Sequence, residues 1–327
     1  MLKRCKDVGM NRKRIIDIII ILVLACAPLF LNTYWVDVLN NIGIYAILAL
    51  SLNFILGHTG LFHMGHAAFY AIGAYTTAIL NTMYHIPIIW LMPLSGVLAG
   101  IFGYLVARPI IHLRGDYLLI VTIGIVEIVR IALVNNIFGI TGGSNGIFGI
   151  SRPKLWGFVI RRPQDFFYYI WIFLGISVYL FYRLENSRFG RALNYIKEDD
   201  LAAEGSGVDS SGYKLKAFII GAIWAGFVGN IYASKMTIIS PESFSFWESV
   251  ILFVIVILGG SGSMRGIILG SFLIIGLPEL FRQFASARML IFGAAMVVMM
   301  IFRPQGIIPP KPRTYNLDFL KLGEAEK

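Results

Sequence analysis

Two charged side chains stand inside an apolar run, Glu127 and Arg130 in YLLIVTIGIVEIVRIALVNN. Three residues apart, they share one face of a helix and can pair. An isolated charge at bilayer depth costs about 2.5–3.5 kcal/mol, so the two are expected to face the protein interior and neutralise each other or a neighbour. A proton relay is the sharper chemistry this pair could perform. Asn135 and Asn136 directly beyond it favour a structural pair with a polar continuation toward the outer face. His58, His63 and His66 in GHTGLFHMGHAAF form the other cluster. No Asp, Glu or Cys stands beside them to complete a tetrahedral ligand set, so no metal site is expected, and His66 reads as capping or packing at a helix start. Cys5 and Cys26 are too few for a disulfide framework. The chain has no Gly-x4-Gly-Lys-Ser/Thr nucleotide loop, no GxSxG elbow and no HExxH pair, so a non-catalytic chain is expected.

The elements that must hold these residues are membrane helices. Hydrophobic residues make up 57% of the 327 positions and charged ones 14%, well below the ~25% charged fraction of soluble domains. Without water in the bilayer core, only helices or a closed barrel satisfy the backbone, and long unbroken Ile/Leu/Val/Phe runs select helices. Spans are expected near 15–34, 38–56, 66–84, 88–107, 117–135, 167–184, 214–234, 246–260, 266–282 and 288–303, about ten in an all-α integral membrane protein. The first resembles a signal peptide, but Pro28 after Ala25-Cys26-Ala27 disfavours cleavage, so it is read as retained.

Lys and Arg counts orient the chain. With the N-terminus inside, the inner segments hold 20 and the outer segments seven. The expected plan is a basic cytoplasmic N-terminus over 1–14, a polytopic unit over 15–303 and a cytoplasmic tail over 304–327. The net charge of +10 is then mainly a topology signal, and no basic soluble face points to nucleic acid.

Glycine-rich junctions interrupt the spans. Leu56-Gly57-His58-Thr59-Gly60 is echoed by Leu258-Gly259-Gly260-Ser261-Gly262, and matched breaks in two halves point to a transport site between repeats. Gly221, Gly226, Gly229, Ala217, Ala222, Ala225 and Ala233 give one span a small-residue surface suited to close packing. The polar block 185–213 reads as a docking knob of two short helices. Asn186 or Ser187 can cap the first, with Phe189, Leu193 and Ile196 on one face, and Asp199 or Asp200 the second, which Gly205 and Gly207 stop.

These stretches together resemble the membrane subunits of ABC importers for branched-chain amino acids, LivM type. The matching segments are SLNFILGHTGLFHMGHAAFYAIGAY (51–75), LRGDYLLIVTIGIVEIVRI (113–131), TGGSNGI (141–147), SRFGRALNYIKEDDLAAEGSGV (187–208), YKLKAF (213–218), ILGGSGSMRGIILG (257–270) and FRPQGII (302–308). The resemblance implies a permease subunit in a bacterial or archaeal cell membrane. Its implied partners are a second related permease subunit, two cytoplasmic ATPases that carry ATP and Mg, and an external amino-acid-binding protein. It also implies that 185–213 is the ATPase-coupling segment, similar to an E-A-A-x-x-x-G loop. Ala202, Ala203 and Gly207 fit that spacing, Leu201 replaces the leading Glu, and Arg188, Gly190, Arg191 and Glu204 join them as candidate contacts. Candidates along the translocation path are Asn53, Gly57, His66, Glu127, Arg130, Thr141, Gly142 and Gly143.

A urea or short-chain amide importer has closely similar membrane subunits and remains the alternative. An ion-coupled secondary transporter would need charges along several spans, whereas Glu127 and Arg130 are the pair that reads as deep.

Overall fold

The computed structural model describes residues 26–113, 115–155 and 157–280, with scattered positions between 293 and 309. The expected spans at 15–34 and 288–303 and the two terminal segments lie wholly or mostly outside the described residues. Each expected span between 38 and 280 coincides with helix. The elements are α1 (Thr33–Thr59), α2 (His66–Tyr84), α3 (Ile88–Ile110), α4 (Asp116–Val134), α5 (Pro163–Asn186), α6 (Arg188–Glu198), α7 (Asp200–Gly205), α8 (Ser210–Met236), α9 (Phe246–Gly259), α10 (Met264–Ser271) and α11 (Leu277–Leu280). A π-helical turn, Phe272–Gly276, joins the last two. Pro278 has no N–H to return to Ile274, which accounts for the widened turn before it.

Among the described residues six segments are long and apolar enough to cross a membrane: α1, α3, α4, α5, α8 and Pro241–Gly259, which joins a short 3-10 turn to α9. The expected span at 66–84 has the expected bounds but is not among them. It is rich in Ala, Thr and Tyr, and most of it is buried by neighbouring helices, so protein rather than lipid is its solvent. The stretch at 266–282 is broken by the π turn.

The polar residues of α1 are scattered and form no polar face, and most of the helix is buried, as a helix without a polar face must be. α8 crosses beside it with the small-residue surface read from sequence. A Cβ on Gly226 would lie 2.6 Å from the Ser95 carbonyl oxygen and 2.9 Å from Gly96 Cα, and one on Gly229 would lie 2.5 Å from Ala74 N. Glycine therefore sets how closely α2, α3 and α8 approach. Asn230 Nδ2 pins the three, donating to Thr77 Oγ1 at 3.0 Å and to the Ile88 carbonyl at 3.1 Å.

Connections gather at two ends. At one, the strands β1 (Ile147–Phe148) and β4 (Ile238–Ile239) pair antiparallel. There β2 (Lys154–Leu155) and β3 (Phe158–Val159) form a hairpin. At the other end α6 and α7 make the knob.

Candidate coupling and translocation site

The knob is built as its caps dictate. Ser187 Oγ accepts from Gly190 N at the start of α6, and Asp199 accepts from Ala202 N at the start of α7. Leu193 and Ile196 bury one face of α6, with Phe189 partly buried beside them. Gly207, at φ +82°, turns the chain out of α7 in the left-handed conformation that glycine tolerates. Lys214 Nζ then ties α8 back to Asp200 at 2.7 Å.

The candidate coupling residues divide into two sets. Arg188, Arg191, Leu201, Ala202, Glu204 and Gly207 face outward, Leu201 with 67% of its surface exposed. Gly190 and Ala203 face inward. A Cβ on Gly190 would overlap the Leu184 and Glu185 carbonyls, so Gly190 shapes the elbow between α5 and α6. Ala203 is fully buried against its own chain, so it supports the knob and presents nothing to a partner.

The knob is bonded directly to the glycine junction that ends α1. Lys197 Nζ donates to the Gly57 carbonyl at 2.8 Å, supplying a cation where the helix leaves carbonyls unsatisfied and its dipole is negative. Partial burial lowers the Lys197 pKa from its ordinary value, against the pull of neighbouring Glu198. His58 Nδ1 and Asn194 Oδ1 lie 3.2 Å apart, and Phe54 stacks on Phe189.

Behind that contact the two echoed junctions meet. Asn53 Oδ1 accepts from Gly262 N at 2.7 Å. A side chain on Gly57 would strike Asn53 and come within 2.7 Å of Gly262 N. Ile307 N donates to the Leu258 carbonyl at 2.9 Å and Ile308 N to Gly259 at 3.3 Å. Segments far apart in sequence, 51–60, 187–208, 257–270 and 305–308, thus converge on one end of the bundle.

His66 begins α2 well inside the bundle. It is fully buried and its Nε2 lies 2.7 Å from Ser51 Oγ, two turns back from the end of α1. The non-helical stretch Gly60–Gly65 therefore runs back along α1 before α2 starts. Ala67 N donates to Ser249 Oγ at 3.0 Å, so the N-termini of α2 and α9 meet in the interior. One residue before Ser249, Glu248 Oε2 accepts from Tyr45 Oη at 2.7 Å, near the middle of α1. The histidines share no hydrogen-bond partner among the described residues: His58 lies against Asn194 and His66 against Ser51, while the His63 ring stacks on Phe69, packs tilted on Phe218 and meets the His66 ring edge-on. Among the described residues no group of three His, Cys, Asp or Glu could hold a metal.

Glu127 and Arg130 pair as expected, Arg130 Nη2 lying 2.8 Å from Glu127 Oε2. Their orientation corrects the sequence reading: they do not face the interior of this chain. Their side chains are 35% and 27% exposed, and Arg130 also meets Glu242 at 3.2 Å. Gly124, one turn before Glu127, has nothing within 4 Å of an added Cβ, and Ile120 and Ile131 on the same face are exposed. An apolar groove of about 450 Å³, lined by residues such as Phe102 and Phe138, separates α3 from α4. Thr141, Gly142 and Gly143 stand apart, in a turn beyond α4 where Asn136 Oδ1 accepts from Thr141 N and Gly142 N, each at 3.0 Å. The candidate path residues therefore occupy three places: Asn53 and Gly57 at the knob end, His66 in the interior, and Glu127 with Arg130 and the 141–143 turn toward the hairpin end.

Sequence reasoning missed Glu248, Glu242 and Lys197. Glu248 carried the signal that flagged Glu127, a lone acid opening an apolar run in FWESVILFVIVILG. The partners of Glu242 and Lys197 lie 112 and 140 residues away, beyond any local pattern.

A multi-pass helical bundle with a capped knob and paired glycine junctions describes a membrane transport subunit. Residues 34–302 match the family described as branched-chain amino acid transport system / permease component, and the chain belongs to it. It is 40% identical over 325 residues to the high-affinity branched-chain amino acid transport system permease protein LivM of Escherichia coli K12, covering 92% of this chain and 76% of that protein. Identity to the probable branched-chain amino acid transport permease protein LivM of Methanocaldococcus jannaschii is 29%, covering 83% and 92%. The permease protein LivH of E. coli K12, from a system of the same description, matches at 24% over 81% of this chain and 91% of its own length. No solved structure matches the chain.

Proposed function

We propose that the chain is a membrane-spanning subunit of an ATP-driven importer for leucine, isoleucine and valine, contributing half of the path. In this reading it has ten spans, with both termini and the knob in the cytoplasm. A second related permease subunit, two ATPases and an external amino-acid-binding protein complete the machine, and ATP with Mg binds the ATPases.

The observation that carries the coupling reading is the bond from Lys197 to the Gly57 carbonyl. An ATPase closing on the exposed side of the knob displaces α6, and α6 is fastened to the junction where the two halves meet. Force applied at Leu201 or Arg188 therefore reaches Asn53 and Gly262 without crossing a flexible loop. The open face of α4 supports a second subunit: Glu127 and Arg130 cannot remain against lipid at low cost, and a matching subunit would cover them. That LivM and LivH proteins both match this chain accords with such a pair.

A zwitterion with an aliphatic side chain needs an anion-favouring group, a cation-favouring group and an apolar wall. The N-termini of α2 and α9 supply the first, through the positive ends of their dipoles. Glu248 is an acid at the same depth, and the surrounding helices are apolar.

The test is uptake of labelled leucine by proteoliposomes holding the purified complex. Uptake should require ATP on the knob side and leucine-loaded binding protein on the opposite side. Equal uptake driven by a proton or sodium gradient without ATP would overturn the reading, and uptake of urea in preference to leucine would reassign the cargo.

A further inference from the structure

The hairpin end of the bundle holds a buried cation whose counter-ion is half in water. Lys235, next to the last residue of α8, places Nζ 2.9 Å from Asp37 Oδ1 and donates to Asn41 Oδ1, both on α1. Its side chain is 7% exposed and that of Asp37 46%. The two members of the pair therefore have different needs. A buried ammonium requires a counter-charge, whereas a half-exposed carboxylate can turn to water at small cost.

One turn further along α1 stands the opposite case. Glu248 accepts from Tyr45 Oη at 2.7 Å, and among the described residues no cation pairs with it. A carboxylate at this depth calls for one. Although α1 as a whole has no polar face, Asp37, Asn41 and Tyr45 recur every four residues in its first half, on one side of the helix. All three are partly accessible, and every residue from Ala46 to Thr59 is buried. The accessible polar stripe thus starts at the hairpin end and stops at Tyr45. There it meets Glu248, whose neighbour Ser249 receives Ala67 N at the interior junction of α2 and α9.

Spacing selects the ligand. Lys235 is anchored at Asn41 and Glu248 at Tyr45, and four residues rise about 6 Å along a helix. A cation and an anion anchored at that separation suit a small molecule that bears both charges on adjoining groups, held by a charge-assisted hydrogen bond of about 2.8 Å on each side. An α-amino acid has this form. Urea is uncharged and would form neither ion pair.

We propose that Lys235 and Glu248 form an outer amino-acid subsite, in which Lys235 takes the cargo carboxylate in exchange for Asp37 and Glu248 takes the cargo ammonium. The inference rests on the importer reading above. The charges balance in the exchange: the cargo carboxylate replaces Asp37 on Lys235, the cargo ammonium neutralises Glu248, and Asp37 turns to the water outside. Before cargo arrives, the Asp37–Lys235 pair keeps the outer ends of α1 and α8 together.

The experiment is ATP-driven uptake of labelled leucine by proteoliposomes holding the assembled complex and supplied with loaded binding protein, with the thermal midpoint of each complex measured in parallel. Glu248→Gln keeps an oxygen that accepts from Tyr45 and removes the charge. Its maximal uptake should fall about tenfold or more at an unaltered midpoint. Lys235→Met should lose a similar factor, and Lys235→Arg should retain more uptake than Lys235→Met. Asp37→Asn should lose less than about fivefold, because cargo displaces that carboxylate in any case. A tie needed only for the fold would fail equally from either side, so equal losses in Lys235→Met and Asp37→Asn would overturn the proposal. So would uptake by Glu248→Gln within about threefold of the unaltered complex, or a loss that comes with a lowered midpoint, which would assign Glu248 to the fold. Should Lys235→Met fail to assemble, Glu248→Gln decides alone, since among the described residues Glu248 has no ion pair to break. Failure of the unaltered complex to take up leucine would overturn the importer reading itself, and is distinguishable because no variant is involved.

Discussion

The knob end and the α4 face are made of similar residues put to opposite use. At the knob end polar groups find partners inside the chain: Lys197 on Gly57, Asn53 on Gly262, Lys214 on Asp200. On the α4 face Arg130 and Glu127, joined by Glu242 from the turn before α9, share a partly exposed cluster beside Gly124 and exposed isoleucines, and a groove parts α4 from α3. A region closed on itself moves as one body, whereas a region left open specifies what must close it. The first suits transmission and the second suits assembly.

The largest expected effect is at Gly57. Gly57→Val drives a branched side chain into Asn53 and Gly262 N, and overpacking of this kind costs about 1–3 kcal/mol. Leucine uptake should be lost and the thermal midpoint of the detergent-solubilised complex should fall. Normal uptake would show that the two junctions need not touch.

Two knob substitutions that look alike in sequence should separate. Ala203→Asp puts a charge at a fully buried position, so it should lower the yield of folded protein. Gly207 has open space around it and φ +82°, so Gly207→Trp strains one backbone position and leaves the knob folded. Its uptake should nonetheless fall, because the added ring lies where an ATPase groove would close. Wild-type uptake by a well-folded Gly207→Trp complex would remove the knob from the coupling surface.

The smallest effects belong to α4. Arg130→Gln leaves Glu127 and Glu242 without their shared cation, and co-purification of the second permease subunit should drop several-fold. Glu242→Gln, at a side chain 73% exposed, should change it little. Equal effects from both would mean that the cluster does not face a partner.

Much of this was legible in the sequence where the signal is local. Apolar runs fixed the helix positions, Ser187 and Asp199 announced the knob, and the Gly221–Gly229 surface announced close packing. Matched glycine junctions point to a transport site between repeats, and the structure adds the contact that Asn53 and Gly262 make across 209 residues, which no local pattern announces. Exposure was not legible: a pair at Glu127 and Arg130 reads the same whether the helix faces its own core or a partner. Nor was depth, since only the bonds of His66 to Ser51 and Tyr45 to Glu248 reveal that α2 and α9 start inside the bundle. Ala203 fitted a docking spacing and proved to be core, because spacing along a six-residue helix does not say which side is covered.

Coupling through the Lys197 to Gly57 bond is tested most directly by Lys197→Met, which keeps the aliphatic stem and removes the ammonium. ATP hydrolysis and leucine uptake would be measured on the same reconstituted complexes. If the bond carries force from knob to junction, hydrolysis stimulated by the binding protein persists while uptake per ATP falls about tenfold. Uptake per ATP equal to that of the unaltered complex would contradict it.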